Sequence, residues 1–147
     1  MTPPALAAFL REKIPLSKAM DVSVVSVSAD GVVLEAPLDP NINVHGTMFG
    51  GSVATLGLLA AWSALHLRLE AEGIVNQLVI HRSEVDYLLP VRGSVRATAQ
   101  VDTADWGSFR QMLERRGKAR LSVVAEMLSD GQVAARLTGE FVAIVAR

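Results

Sequence analysis

The residues best suited to chemistry lie in the polar, glycine-rich segment 41–52, which reads Asn-Ile-Asn-Val-His-Gly-Thr-Met-Phe-Gly-Gly-Ser. This segment runs directly into the apolar stretch 53–69, so an asparagine and a histidine stand beside the start of a predicted helix. The first N–H groups of a helix have no intrahelical partner and carry partial positive charge. Such groups can receive a carbonyl oxygen or a developing oxyanion. The segment therefore predicts chemistry on an acyl group.

Two side chains of this segment are candidates for catalysis. Asn43 is neutral, so its amide can donate and accept hydrogen bonds without a large desolvation cost. The alternative for Asn43 is that it caps its own turn, a common role for asparagine, and the two roles are compatible. His45 is suited to general base catalysis because a histidine can exchange a proton near neutral pH. The alternative is that His45 is a structural histidine beside a helix start.

A second group of polar residues follows the helix, on a stretch expected to be a strand. Glu84 and Asp86 share one strand face with Arg82, so they are either catalytic carboxylates or members of a solvated, salt-bridged face. His81 and Ser83 fall on the other face, which is expected to meet the helix. Buried polar groups need hydrogen-bond partners, so a satisfied core pair and a catalytic pair are both open for these two residues.

Composition excludes several classes of function. The net charge of -1 and pI near 6.3 lack the basic footprint of a nucleic-acid-binding protein. The absence of cysteine excludes disulfides, thiolate catalysis and cysteine-ligated zinc. The three histidines are scattered, and neither a phosphate loop nor a dinucleotide fingerprint occurs, so we expect no metal and no cofactor.

The 147 residues are enough for one domain, and we expect a single domain over 1–147 with residues 1–18 as an N-terminal helical extension. The hydrophobic content of 50% and mean hydropathy of +0.34 are high for a soluble monomer, which indicates apolar surface buried in an oligomer. Residues 46–65 are uncharged over nearly a membrane-spanning length, but their glycines and hydroxyl residues favour a buried core helix. The N-terminus lacks the pattern of a signal peptide, so we expect a cytoplasmic protein with no membrane partner.

Periodicity and turn residues predict the elements that must position these groups. Residues 5–13 read as a short amphipathic helix with prolines at its first turn. A long helix is expected over 50–72, with Gly73 at its C-terminal end. Strands are expected over 22–27 and 32–36, joined by Asp30-Gly31, and again over 74–89, 95–101, 119–128 and 133–145. A second short helix is expected over 105–116.

Strands joined by tight turns pair antiparallel, and a single apolar helix needs a sheet to cover it. The fold class is therefore α+β, with a curved antiparallel β-sheet wrapped around one long central α-helix. Small residues form one stripe on that helix, namely Gly50, Ala54, Gly57, Ala61 and Ala64. This stripe has two interpretations. It is where the sheet or a partner helix packs, or it serves that role and also forms the floor of a narrow channel for an acyl chain.

This outline resembles the hotdog fold, and two motifs strengthen the resemblance. Segment 43–52 resembles the Asn-x-x-Gly-Thr-x-x-Gly-Gly turn of hotdog acyl thioesterases. Segment 85–93, Val-Asp-Tyr-Leu-Leu-Pro-Val-Arg-Gly, resembles the strand-to-strand corner that follows the helix in those proteins. Over residues 21–147 the chain is similar to the thioesterase domain family that also occurs behind acetyltransferase domains. Trp62 fits the tryptophan that recurs on the helix of that family.

The resemblance implies hydrolysis of a thioester of coenzyme A or acyl carrier protein, at a site shared between two subunits. The protein would then be a homodimer or a dimer of dimers. Backbone N–H groups near Gly50 and Gly51 would hold the thioester oxygen, within a substrate-binding turn that includes Thr47 and Ser52. Asn43 would position the carbonyl group or the attacking water.

A dense basic region, Arg110, Arg115, Arg116, Lys118 and Arg120, could then meet the phosphates of coenzyme A or an acidic carrier protein. Arg115 and Arg116 are the substrate-binding candidates within this region. The alternative is a solvated turn whose charge is partly offset by Glu114.

One departure from the family pattern concerns the general base. Many hotdog thioesterases carry a carboxylate on the second turn of the central helix, and the aligned position here is Leu58. The base must then be His45, or Glu84 and Asp86 if they reach the neighbouring subunit's turn. The missing carboxylate also leaves open a non-catalytic acyl-CoA-binding or regulatory module. A hotdog dehydratase would need a histidine paired with an acid in a different turn pattern, which the sequence lacks.

Overall fold

The computed structural model describes residues 1–29 and 31–146. The helices are α1 (Pro3–Lys13), α2 (Pro15–Ala19), α3 (Gly50–Ala71) and α4 (Thr103–Arg116), and a 3-10 turn covers Asp39–Asn41. The strands are β1 (Ser23–Ser28), β2 (Gly31–Ala36), β3 (Asn76–Tyr87), β4 (Val95–Gln100), β5 (Lys118–Ser129) and β6 (Gln132–Val145). Each predicted helix and strand is present with ends within two residues of the expected ones. Asp30, half of one predicted turn, and Arg147 lie outside the described residues.

Helix α3 is apolar on nearly all sides because most of it lies beneath the sheet. Its buried residues are Val53, Leu56, Gly57, Leu59, Ala60, Ala61, Ser63, Ala64, Leu65 and Leu69. The helix ends before Gly73, which adopts the left-handed conformation with φ of 70°. Its length and hydropathy would suit a membrane span, but its burial is typical of the core helix of a soluble protein.

The described residues form one six-stranded antiparallel sheet in the order β1-β2-β4-β5-β6-β3. The sheet curves around α3, which contacts every strand from β2 to β6. Strand β3 follows α3 in sequence but crosses to the far edge, where it pairs with β6 alone. The two edges of the sheet are therefore β1 and β3. This is the arrangement expected of a hotdog fold.

The prediction that His81 and Ser83 meet the helix is wrong, because both residues are exposed. A β-bulge between Ile80 and Arg82 shifts the register and takes His81 out of the alternation. His81 Nε2 instead lies 3.7 Å from Glu140 Oε1. Ser83 lies opposite Gly139 of β6. It is exposed because β3 is an edge strand with no partner strand on its other side.

The stripe of small residues on α3 is where the sheet approaches the helix. A Cβ added to Gly57 would lie 2.7 Å from Met127 Sδ and 3.3 Å from Leu137 Cβ. Any side chain at position 57 would therefore push against β5 and β6. At this position the geometry matches the packing interpretation of the stripe.

A stack of aromatic rings joins α1 to α3. The ring centroids of Trp62 and His66 are 4.6 Å apart, and those of Phe9 and His66 are 5.2 Å apart, with nearly parallel planes. Trp62 Nε1 also donates a hydrogen bond to the carbonyl oxygen of Leu78 on β3, at 3.0 Å. Burial in this stack lowers the pKa of His66, and the neighbouring Glu70 opposes that shift.

Candidate functional site

The turn before α3 is held together by the side chain of Asn43. Its Oδ1 accepts hydrogen bonds from the N–H groups of His45 at 2.8 Å and Thr47 at 3.2 Å. Its Nδ2 donates to Thr47 Oγ1 at 2.9 Å. The backbone N–H of Asn43 donates to the carbonyl oxygen of Thr47 at 2.8 Å. Both ends of the Asn43 amide are thus engaged within the turn, which is the geometry of the turn-capping alternative.

Asn41 anchors the same turn to the rest of the protein, a role that the sequence did not reveal. Its side chain is buried, and Nδ2 donates to the carbonyl oxygens of Met20 at 2.9 Å and Pro37 at 2.8 Å. Its own carbonyl oxygen accepts from the N–H of Phe49 at 2.7 Å. A buried asparagine in a polar turn gives no sequence signal that separates it from an exposed one.

The start of α3 presents two free backbone donors, the N–H groups of Gly50 and Gly51. Ser52 and Val53 donate to the carbonyl oxygen of Phe49 at 2.9 and 3.2 Å. The N–H groups of Gly50 and Gly51 have no hydrogen-bond partner in the part of the chain described, and Phe49 offers no side-chain cap. The Phe49 ring occupies the space that a Cβ at position 51 would need. Glycine at position 51 therefore allows the ring to lie over the helix start.

A cavity of about 260 Å³ opens beside this helix start. Its lining is mostly apolar and consists of Met48, Val53, Tyr87, Leu88, Leu89, Pro90, Val91, Ala134 and Ala135. Tyr87 connects the cavity to the helix, because its Oη donates to the carbonyl oxygen of Gly50 at 2.9 Å. Of α3 only Val53 lines the cavity, so the small stripe is not its floor. The hydroxyl contact of Tyr87 was also missed at the sequence level.

Exposed apolar side chains surround the helix start and the cavity. They are Ile42, Val44, Phe49, Tyr87, Leu88 and Leu89, with exposed fractions between 45% and 93%. Contiguous exposed apolar surface of this kind marks interaction sites on soluble proteins. In a single chain the helix start, where Gly50 and Gly51 are partly exposed, therefore lies within an apolar rim.

His45 lies at the exposed tip of the turn that precedes α3, where its backbone N–H donates to Asn43 Oδ1. The ring of His45 has no hydrogen bond or ion pair with any described residue. No group of three or more histidine, aspartate and glutamate side chains in the described ranges could hold a metal ion. The ring of His45 is thus free to act on a molecule bound outside the turn.

Glu84 and Asp86 are not brought to the helix start within one chain. They lie opposite Thr138 and Arg136 in the register with β6, whereas Tyr87 lies opposite the buried Ala135. Because side chains alternate between faces along a strand, the two carboxylates leave the sheet on the face away from α3. Both are exposed, and neither forms an ion pair with a described residue.

Arg115 and Arg116 lie near the opposite end of α3 from Gly50. Helix α4 is attached to that end by an ion pair between Arg110 and Glu72, and by Arg68 over the Trp106 ring at 4.6 Å. At the usual rise per residue, the 22 residues of α3 span about 33 Å. Within one chain, the two arginines and the helix start therefore lie near opposite ends of α3.

A family model matches nearly the whole chain. Residues 4–145 match the family described as "Putative thioesterase (yiiD_Cterm)". The match includes α1, whereas the motifs found in the sequence supported a resemblance only from residue 21 onward.

Solved structures give a consistent result. A protein of unknown function from Chlorobaculum tepidum TLS is 29% identical, with a TM-score of 0.91 over 97% of this chain and 96% of that chain. A putative thioesterase from Shewanella oneidensis is 26% identical, with a TM-score of 0.86 over 97% and 96% of the two chains. A probable thioesterase from Pseudomonas aeruginosa is 21% identical and shares the fold, with a TM-score of 0.81 over 98% and 97%. The predicted hotdog fold is confirmed.

Proposed function

Because the chain belongs to the thioesterase family whose model spans residues 4–145, we propose that it is a soluble, cytoplasmic hydrolase of acyl thioesters of coenzyme A or acyl carrier protein. The observation that carries this proposal is the pair of unpartnered N–H groups at Gly50 and Gly51, beside an apolar cavity of about 260 Å³. The thioester oxygen accepts from these donors while the acyl chain enters the cavity. Fixed donors of this kind stabilise the charge that develops on the oxygen in the transition state.

The active form in this proposal is a homodimer, alone or within a dimer of dimers, joined through β3. This strand has 12 residues and one edge without a partner strand, and it carries exposed Val79, Ile80 and Tyr87. An open edge of this length readily pairs with a second copy. Antiparallel pairing of two β3 strands covers the apolar rim around each helix start. The covered site excludes water, which strengthens the hydrogen bonds to the oxyanion.

Hydrolysis begins when a water molecule attacks the carbonyl carbon and loses a proton. The C–S bond then breaks, the thiolate leaves and takes up a proton, and the acyl group departs as a carboxylic acid. We assign removal of the water proton to His45, whose exposed ring lies on the turn that precedes Gly50 and Gly51 and has no hydrogen bond or ion pair with a described residue. Asn43 holds that turn, and Thr47 and Ser52 border the oxyanion donors. Glu84 and Asp86 are the alternative bases, approaching from the outer face of the sheet.

The first test offers the purified protein coenzyme A thioesters with short, long and aromatic acyl groups and measures release of free thiol. We expect turnover of at least one class. Asn43→Ala should lower kcat/KM by about a hundredfold, because loss of the turn misplaces the donors. Asn43→Asp keeps the acceptor for the His45 and Thr47 N–H groups and is the matched control, with a smaller loss. Inactivity of well-folded protein on every thioester contradicts the proposal.

A second set of variants identifies the base. His45→Gln should lower kcat by about a hundredfold or more, since general base catalysis contributes on that order, and should leave KM nearly unchanged. Glu84→Gln and Asp86→Asn serve as the comparison, and we expect each to retain most of the activity. Retained activity in His45→Gln, combined with a large loss in either carboxylate variant, reverses the assignment.

One observation favours a second function, a non-catalytic acyl-CoA-binding module. Leu58 stands where many relatives have a carboxylate, and it packs against the hydrophobic core. A module of this kind binds acyl-CoA in its native state without hydrolysing it. Acyl-CoA then raises the thermal midpoint while no free thiol appears. This outcome distinguishes binding from hydrolysis in the same samples.

A further inference from the structure

A wide basic groove runs between α4 and the start of β5, far from the helix start of its own chain. Its basic lining residues are Arg115, Arg116, Lys118 and Arg120, its acidic one is Asp105, and its volume is about 1310 Å³. Arg115, Arg116 and Lys118 are exposed and form no ion pair with any described residue. Arg120 lies 3.8 Å from Glu140, so its charge is partly compensated. The groove is thus strongly positive on a chain whose net charge is -1.

Pairing through β3 brings this groove to the helix start of the other subunit. Within one chain, Tyr87 at the end of β3 contacts the start of α3, whereas Asn76 at the other end lies opposite Val145 of β6. The neighbouring β6 residue, Ile144, lies opposite Lys118 of β5. Two β3 strands that pair antiparallel about their middle place Tyr87 of one subunit beside the start of β3 in the partner subunit. Each helix start then faces the end of the partner subunit at which the basic groove opens.

The separation matches the length of a pantetheine arm. Neighbouring strands are about 4.8 Å apart, so three strand spacings put Lys118 of the partner subunit roughly 15 Å from Tyr87. Pantetheine has about thirteen bonds between its sulfur and the diphosphate, and an extended chain with that number of bonds also spans roughly 15 Å. A thioester held at Gly50 and Gly51 therefore delivers its phosphates to the partner subunit's groove.

We infer that the basic groove of one subunit binds the diphosphate and 3′-phosphate of the coenzyme A whose acyl group occupies the helix start of the other subunit. The inference rests on the proposed function and on pairing through β3. Guanidinium groups suit this task because they form paired, charge-assisted hydrogen bonds with phosphate oxygens. Arg116 and Lys118, which flank Gly117 where α4 turns into β5, are the residues that we expect to carry most of the contact.

The same charges could serve only to stabilise α4, because cations in the last turn of a helix interact favourably with its dipole. The two roles differ in their effect on substrates. A structural role affects every thioester equally, whereas a phosphate-binding role affects only substrates that carry the nucleotide.

The first experiment compares acyl-CoA with the same acyl group on pantetheine, which has no phosphates. In the double variant Arg116→Ala/Lys118→Ala, we expect kcat/KM for acyl-CoA to fall about tenfold or more, mainly through KM, with a much smaller change for acyl-pantetheine. Lys18→Ala, which removes an exposed lysine on α2, is the matched control. An equal loss on both substrates supports the structural role and overturns the inference. A larger loss on acyl carrier protein than on acyl-CoA overturns the assignment to coenzyme A.

Mixed dimers test whether the groove acts on the partner's site. Asn43→Ala protomers are mixed with Arg116→Ala/Lys118→Ala protomers after reversible dissociation. If the groove acts across the interface, one of the two sites in a mixed dimer has both an intact turn and an intact groove, and activity on acyl-CoA rises above that of either parent. If the groove acts within its own chain, both sites remain defective and activity does not rise.

Failure of the proposed function can be told apart from failure of this inference. If the wild type hydrolyses no thioester, the proposed function fails, and calorimetry with coenzyme A and adenosine 3′,5′-bisphosphate still tests the groove. Binding by the wild type that is lost in Arg116→Ala/Lys118→Ala supports the groove. Equal binding by both proteins, or binding by neither, overturns it.

Discussion

At the scale of single residues, the turn before α3 depends on the two ends of one amide. Asn43 accepts from the N–H groups of His45 and Thr47 and donates to Thr47 Oγ1. A carboxylate supplies only acceptors and a hydroxyl group is too short to reach all three partners, so asparagine is the suitable side chain. The motif identified Asn43 as important, but its spacing could not distinguish a residue that holds the turn from one that touches the substrate.

His66 gives stability a pH dependence whose sign follows from its burial. Burial beside Phe9 and Trp62 lowers its pKa below the ordinary value of 6.5, although Glu70 acts in the opposite direction. The unfolded chain therefore takes up a proton at higher pH than the folded chain. The contribution of neutral His66 to the free energy of unfolding is fully present above about pH 6.5. It is lost as the pH decreases from that value through the lowered pKa of the folded state.

We expect His66→Phe to remove this dependence while keeping the ring stack. The free energy of unfolding, measured with urea between about pH 5 and 8, should decrease on acidification for the wild type and change less for the variant. His45→Gln, which alters an exposed histidine, should retain the wild-type slope. Identical slopes for the wild type and His66→Phe would refute the role of His66.

At the scale of elements, the close approach of α3 to the sheet depends on Gly57. A Cβ there would lie 2.7 Å from Met127 Sδ, 2.9 Å from Met127 Cε and 3.3 Å from Leu137 Cβ. We expect Gly57→Ala to destabilise the protein by about 1–3 kcal/mol through overpacking, despite the higher helix propensity of alanine. The double variant Gly57→Ala/Met127→Ala should be less destabilised than the sum of the two single changes. Strict additivity in thermal or urea unfolding would contradict this packing account.

The sequence predicted the elements well because each has a strong local signal. Helix α3 contains most of the uncharged run 46–65 and ends shortly before Gly73, and α4 ends at Gly117 with φ of 71°. The β-bulge at Ile80/Arg82 has no such signal, and it alone reversed the face predicted for His81. The contact of Tyr87 Oη with Gly50 joins residues 37 positions apart, so it depends on tertiary structure.

The candidate site was predictable only where its residues are close together in the sequence. The turn that precedes Gly50 is local in sequence, and hydrogen bonds join Asn43, His45 and Thr47 within it. Arg115 and Arg116 lie on an element at the far end of α3, and only the strand order shows how they could meet a helix start in another subunit. Such contacts depend on assembly, which a single sequence does not encode in any local pattern.

At the scale of the whole molecule, the two sheet edges differ in their suitability for pairing. Strand β1 has six residues, carries a bulge between Val24 and Ser26, and is covered on one side by α1. Strand β3 has 12 residues and continues into the exposed Leu88 and Leu89 beside the cavity. Short, bulged and covered edges resist association, whereas long open ones promote it. These features favour β3 as the seam between subunits.

Charge introduced along β3 should therefore separate the subunits and abolish activity together. In Val79→Lys/Leu88→Lys, two exposed apolar side chains become cations near the seam, where burial of charge and like-charge repulsion both oppose pairing. We expect a folded protein that sediments as a 15.7 kDa monomer and has lost thioester hydrolysis. Val25→Lys, at an exposed apolar position on β1, should keep the wild-type mass and rate. A fully active monomer would show that each chain completes its own site, and the groove between α4 and β5 could then have no part in catalysis by a neighbour.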